Sequence, residues 1–177
     1  MGGFKWKVEG MSKGKKASES KKRRATAYHE AGHLAACHLL NIAVDSATIF
    51  PSREGIAGYA WSEGLDWLER FAEPSERPEI ARRHIIAEYA GLVAERVVDA
   101  AARWNGGARG DYAKARELAA RFGLDAAKLR NEAHALIHAH WPLVKVYADA
   151  LLNAGTLQAD ALVDVAMQSG VDAIVDT

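Results

Sequence analysis

The chain has 177 residues, 49% of them hydrophobic, with a single cysteine and a formal net charge of +0. That is enough for one domain with a sizeable core, it excludes an internal disulfide framework, and no apolar run approaches the roughly 20 residues of a membrane span. The lone Cys37 fits a reducing compartment and the basic head lacks the apolar segment and cleavage site of a signal peptide, so the expected location is the cytoplasm.

The neutrality hides an asymmetry. Up to Arg24 there are nine basic residues against Glu9 and Glu19, a surplus of +7 that the rest of the chain cancels. Residues 1–23 therefore read as a basic, disordered tail, and 24–177 as a single domain. Beyond Phe4 and Trp6 the tail has no aromatic residues to stack on bases, so a solvated segment is expected rather than a nucleic-acid arm.

The first predicted element is a helix from about Arg24 to Leu40, rich in Ala and Leu, with Thr26 placed to cap it and Asn41 to end it. It carries His29-Glu30-Ala31-Gly32-His33, an H-E-x-x-H string. On a helix the two imidazoles lie one above the other on one face, where they can grip one metal ion. Glu30 is offset from that face, so its carboxylate can take a proton from metal-bound water without filling a coordination position. Gly32 costs a helix interior about 1 kcal/mol relative to Ala, which points to a close approach by another backbone or a substrate.

Two β-favouring runs follow, Val44 to Phe50 and Gly55 to Trp61, separated by Pro51-Ser52-Arg53-Glu54. They predict a hairpin or two strands of a small sheet, whose edge in an endopeptidase can hold an extended peptide. The polar stretch Gly64 to Arg77 predicts a loop or short helix. Pro78 then suits the first turn of a long helix reaching about Ala102, with Gly91 marking another close contact. The glycines of Trp104 to Gly110 predict a loop that presents Asp111 at the head of the next helix, which ends at Gly123. The last third predicts a helix from Ala126 to about Asn153, kinked or divided by Pro142, and another from Gln158 to Met167. His134 and His138 repeat the four-residue spacing with no acidic partner between them, and read as helix-surface or packing residues.

A catalytic zinc site needs a third protein ligand. The extension H-E-x-x-H-x-x-G-x-x-H is absent, since Ala36 and Leu39 occupy its last two positions. Glu88 or Glu95 on the long helix, or Asp111 after the glycine loop, remain as candidates.

An ordered set of motifs resembles the peptidase domain of the FtsH family, the ATP-dependent membrane-bound zinc proteases. Ala27 to His33 is similar to that family's zinc helix. Thr48-Ile49-Phe50-Pro51 with Gly55-Ile56-Ala57-Gly58 resembles its strand, Pro-Arg turn and glycine strand. Gly91-Leu92-Val93-Ala94-Glu95-Arg96 resembles its G-R-A-A-E-E helix, Gly107-Ala108-Arg109-Gly110-Asp111 its T-G-A-S-N-D loop, and Ala148 to Leu152 with Gly155-Thr156-Leu157 its last helical hairpin. Together these cover about Arg24 to Val165.

The resemblance implies a mainly α (α+β) fold, a helical zincin-like peptidase domain with a small β hairpin or sheet. It implies Zn2+ held by His29, His33 and Asp111, with Glu30 as general base and Glu95 orienting a ligating histidine. The implied activity is that of a zinc metalloendopeptidase. The departures narrow it: no G-x-x-x-x-G-K-[ST] phosphate loop and no membrane span occur in these residues, Arg96 replaces the second Glu of A-A-E-E, and Arg109-Gly110 replaces Ser-Asn. The expected substrate is therefore flexible or unfolded polypeptide, cleaved without ATP. A homo-oligomer and a separate ATPase or adaptor partner are both compatible with this reading. The alternative is a non-catalytic zinc module that docks a partner.

Overall fold

A computed structural model describes residues 13–50, 59–62, 73–100 and 107–170. Among the described residues, six helices and three short strands make the mainly α (α+β) architecture expected from the sequence. The organising element is α1 (Lys13–Leu39), whose second half is threaded through the core. Ala27, Ala31, Leu34, Ala35 and Leu39 are almost fully buried there, so one small or branched residue per turn faces each neighbour.

The helix starts earlier than the composition suggests. It begins at Lys13, so the expectation of a disordered tail does not hold from that residue on, and Thr26 lies in the helix interior and caps nothing. The Lys, Ala and Glu residues of this segment are good helix formers, and two of its cations have partners at the ends of other helices. Lys21 pairs with Asp99 at 3.1 Å, directly after α2 (Arg77–Val98), and Arg23 donates to the Leu152 carbonyl at 2.7 Å in the last turn of α5 (Trp141–Ala154). Both cations meet the negative, carbonyl end of a helix, where a positive charge is favoured. Residues 1–12 lie outside the described part.

After α1, Asn41 turns the chain with φ 54°, as expected of a terminating Asn. β1 (Val44–Thr48) pairs antiparallel with β2 (Tyr59–Ser62), and also with β3 (Thr156–Gln158), giving the sheet order β2-β1-β3. The hairpin was legible in the sequence; β3, expected within a helical hairpin, was not. It is fixed by a threonine ladder, in which Thr48 Oγ1 lies 2.8 Å from Thr156 Oγ1 and donates to the Gly155 carbonyl. Gly155 has φ 80° and lies against the Phe50 ring, where a Cβ would not fit. The Pro51 to Glu54 turn, the run from Gly55 to Gly58 and most of the Gly64 to Arg77 segment fall outside the described residues.

α2 lies along α1, and small residues let the two come close. A Cβ on Gly32 would stand 2.5 Å from the Ala90 carbonyl oxygen and 2.7 Å from the Ala94 Cβ, so the glycine sets how closely the helices approach. Pro78 sits in the first turn of α2, as expected, and the helix ends at Val98. α3 (Gly107–Arg121) starts within the glycine stretch that predicts a loop, which puts Asp111 in the second turn of the helix rather than at its head. α4 (Ala126–Ala139) is capped by Asp125, which accepts from the backbone N–H groups of Ala127 and Lys128. Pro142 divides the predicted long helix into α4 and α5, and α6 (Ala159–Ser169) closes the chain.

Two apolar clusters result. One joins α1 to α5, α6 and the sheet through Leu34, Leu39, Leu143, Val144 and Leu151; the other joins α2 to α3 and α4 through Ile85, Ile86, Tyr89, Leu118 and Leu129. Where α1, α2 and α3 meet, polar side chains replace apolar ones.

Candidate metal centre

His29 and His33 leave α1 one turn apart, with their rings edge to face at 77° and their Nε2 atoms 3.1 Å from each other. Asp111 arrives from α3, its Oδ2 at 3.0 Å from His29 Nε2 and 3.4 Å from His33 Nε2. His29, His33 and Asp111 can hold a metal ion between them, and they are the only such group of three among the described residues. Of the three candidates for the third ligand, Asp111 is therefore the one that reaches the Nε2 atoms of both histidines, while Glu95 meets only the outer nitrogen of His29 and Glu88 stands outside the group.

The outer ring nitrogens explain why the inner ones converge. His33 Nδ1 donates to the Ala87 carbonyl at 2.8 Å, and since a carbonyl only accepts, this fixes the tautomer with a bare Nε2. His29 Nδ1 lies 3.1 Å from Oε2 of Glu95, the acid that the resemblance implies would orient a ligating histidine. Both neutral rings then aim lone pairs at each other and at a carboxylate oxygen. Three acceptors that close repel one another unless a cation lies between them, so the donor set fits a metal ion.

Without an ion, protons take that place. Burial by itself would depress His29, yet hydrogen bonds to Asp111 and Glu95 outweigh it and raise its pKa to about 10. Burial likewise opposes the charged form of His33, and Asp111 overrides it, so that pKa is raised too. For Asp111 burial would raise the pKa, but the two imidazoles hold it well below the usual carboxylate range.

Two further residues shape the site. Gly91 on α2 faces His33: a Cβ there would fall on the ring, 2.7 Å from its Cδ2 and Cε1. The hole left by the missing side chain is the cradle for the His33 ring. Glu30 is 3% exposed, and its Oε2 has no hydrogen-bond partner among the described residues. Burial pushes its pKa up, against the opposing pull of His29 and His33. An orphaned buried carboxyl oxygen is costly in a fold and calls for a reason.

The sequence motif located His29, Glu30 and His33, and glycine inside a helix signalled the contact at Gly91. Ala87 was not foreseeable, because its contribution is a main-chain carbonyl that no side-chain pattern marks. No protein-family model and no curated protein matches the chain. No helix among the described residues is long and apolar enough to cross a membrane.

Proposed function

We propose that this chain is a zinc metallopeptidase that hydrolyses peptide bonds in flexible or unfolded polypeptides without ATP. One observation carries the reading: a three-ligand His, His, Asp set stands beside Glu30, a buried carboxyl with an unengaged oxygen. Three protein ligands leave one tetrahedral position open, as in a catalytic zinc site, whereas a structural site closes all four. The ordered resemblance to the FtsH peptidase domain supports the same assignment residue by residue.

When bound, zinc supplies a Lewis acid that polarises the substrate carbonyl and lowers the pKa of a water toward ~7. The chain's own groups do the rest. His29, His33 and Asp111 present their inner atoms, and the Glu95 carboxylate and Ala87 carbonyl hold the two rings so that Nε2 faces inward. Glu30 takes the proton from the attacking water on its free oxygen and returns it to the leaving amine nitrogen. A carboxyl raised by burial suits the first half of that task, since its carboxylate accepts a proton more readily near neutral pH than an unshifted one does.

The test is zinc content together with cleavage of an unfolded, fluorophore-labelled protein, comparing the native chain with Glu30→Gln. Both should bind about one zinc per chain, and the substitution should lower the cleavage rate by roughly 10²–10⁴-fold. If both bind zinc and neither cleaves, the protein is a zinc-binding docking module and the peptidase reading fails.

A further inference from the structure

A second pair of imidazoles at helical spacing lies on α4, remote in role from the site above. Ala133 and Ile137 turn inward to the two apolar clusters, and His134 and His138, each the next residue along, are exposed. Their ring centroids are 4.3 Å apart with the planes tilted by 31°. No hydrogen bond or ion pair joins either ring to another described residue, in contrast to His29 and His33, whose ring nitrogens are all engaged.

We infer that His134 and His138 form a second, surface chelate for a divalent transition ion of borderline softness. The helix holds the two side chains on one face one turn apart, and exposure lets each ring rotate a nitrogen toward a shared ion without disturbing the core. Imidazole donors select Cu2+, Ni2+ and Zn2+ over Mg2+ and Ca2+, which prefer oxygen. Among the described residues no third His, Cys, Asp or Glu joins this pair, so water completes the coordination. With neither a third protein ligand nor carboxylates behind the rings, the chelate is weaker and faster to exchange than the buried set. The chain then carries two metal sites of different kinds: a closed-in one, and an open one that loads from solution.

The inference is tested by titrating zinc-loaded protein with Cu2+ and, separately, Ni2+. A second ion should bind, Cu2+ more tightly than Ni2+, with a copper resonance spectrum that shows coupling to two imidazole nitrogens. His134→Asn and His138→Asn should each weaken that second ion at least about tenfold, a loss of one donor costing no less than the loss of a supporting partner. Zinc content and melting temperature should stay those of the native chain, since both positions are on the surface. The copper titration is repeated with Asp111→Ala, where the His134–His138 ion should persist. Copper binding that is unchanged by His138→Asn, or no second ion at all, overturns the inference, and neither result bears on the buried site.

Discussion

At the scale of single residues, the site depends as much on what is missing as on what is present. His33 occupies the space that a Cβ on residue 91 would take, and no rearrangement of a flexible tip relieves that conflict, because the ring is held through its Nδ1 by the Ala87 carbonyl. Gly91→Ala should therefore push His33 off the ligand position and cost the protein at least about tenfold in zinc affinity, comparable to or worse than losing a supporting contact. Helix propensity works the other way, favouring Ala over Gly by about 1 kcal/mol, so the fold can survive while the metal is lost. Gly110→Ala provides the control: nothing among the described residues lies within 4 Å of a Cβ there, and zinc binding should be unchanged. Zinc retention in Gly91→Ala, measured by equilibrium dialysis, would show that the cradle is not needed.

At the scale of elements, the same argument at Gly32 predicts a loss of stability instead. The atom nearest to a new Cβ is the Ala90 carbonyl oxygen, part of the α2 backbone, so α1 and α2 would have to separate. Gly32→Ala should destabilise by roughly 1–3 kcal/mol through overpacking, less the propensity gain of about 1 kcal/mol. Denaturant unfolding gives the sign, and a more stable variant would mean that the helices are not in close register. This pairing was only half legible in the sequence. A glycine inside a helical run marks a close approach, but it does not name the partner, and Ala90 and Ala94 are unremarkable by themselves. The helices were found wherever apolar periodicity was strong, as in α2, α4 and α5. Their ends were missed where tertiary contacts decide: α1 extends to Lys13, and its Lys21 and Arg23 meet the carbonyl ends of α2 and α5. Likewise the three residues of β3 carry no periodic signal, and become a strand only because β1 has an edge to pair with. The grouping of His29, His33 and Asp111 was legible because residue chemistry marks candidate ligands, whereas the ends of elements are set by packing.

At the scale of the whole molecule, His29 and His33 on α1 meet Asp111 on α3 where the two apolar clusters adjoin, so a bound ion would compete with the proton for one structural role. Without metal, His29 has its pKa raised from 6.5 to about 10. A raised pKa contributes stability fully below the unfolded value, and that contribution is lost as pH rises from 6.5 through 10. With metal the dependence reverses, because the ion binds the unprotonated nitrogens and must displace the proton that His29 otherwise keeps. Each proton displaced makes zinc affinity rise about tenfold per pH unit, or 1.36 kcal/mol. Zinc at a hundredfold excess over its dissociation constant adds about 2.7 kcal/mol of stability, and tenfold tighter binding at fixed zinc adds a further 1.4 or so. The gap in melting temperature between zinc-loaded and chelator-treated protein should therefore widen from pH 6 to pH 9. Calorimetry of zinc binding near neutral pH in buffers of different ionisation enthalpy should also detect proton release. A gap that stays constant with pH, with no proton released, would mean that zinc does not bind where His29, His33 and Asp111 converge.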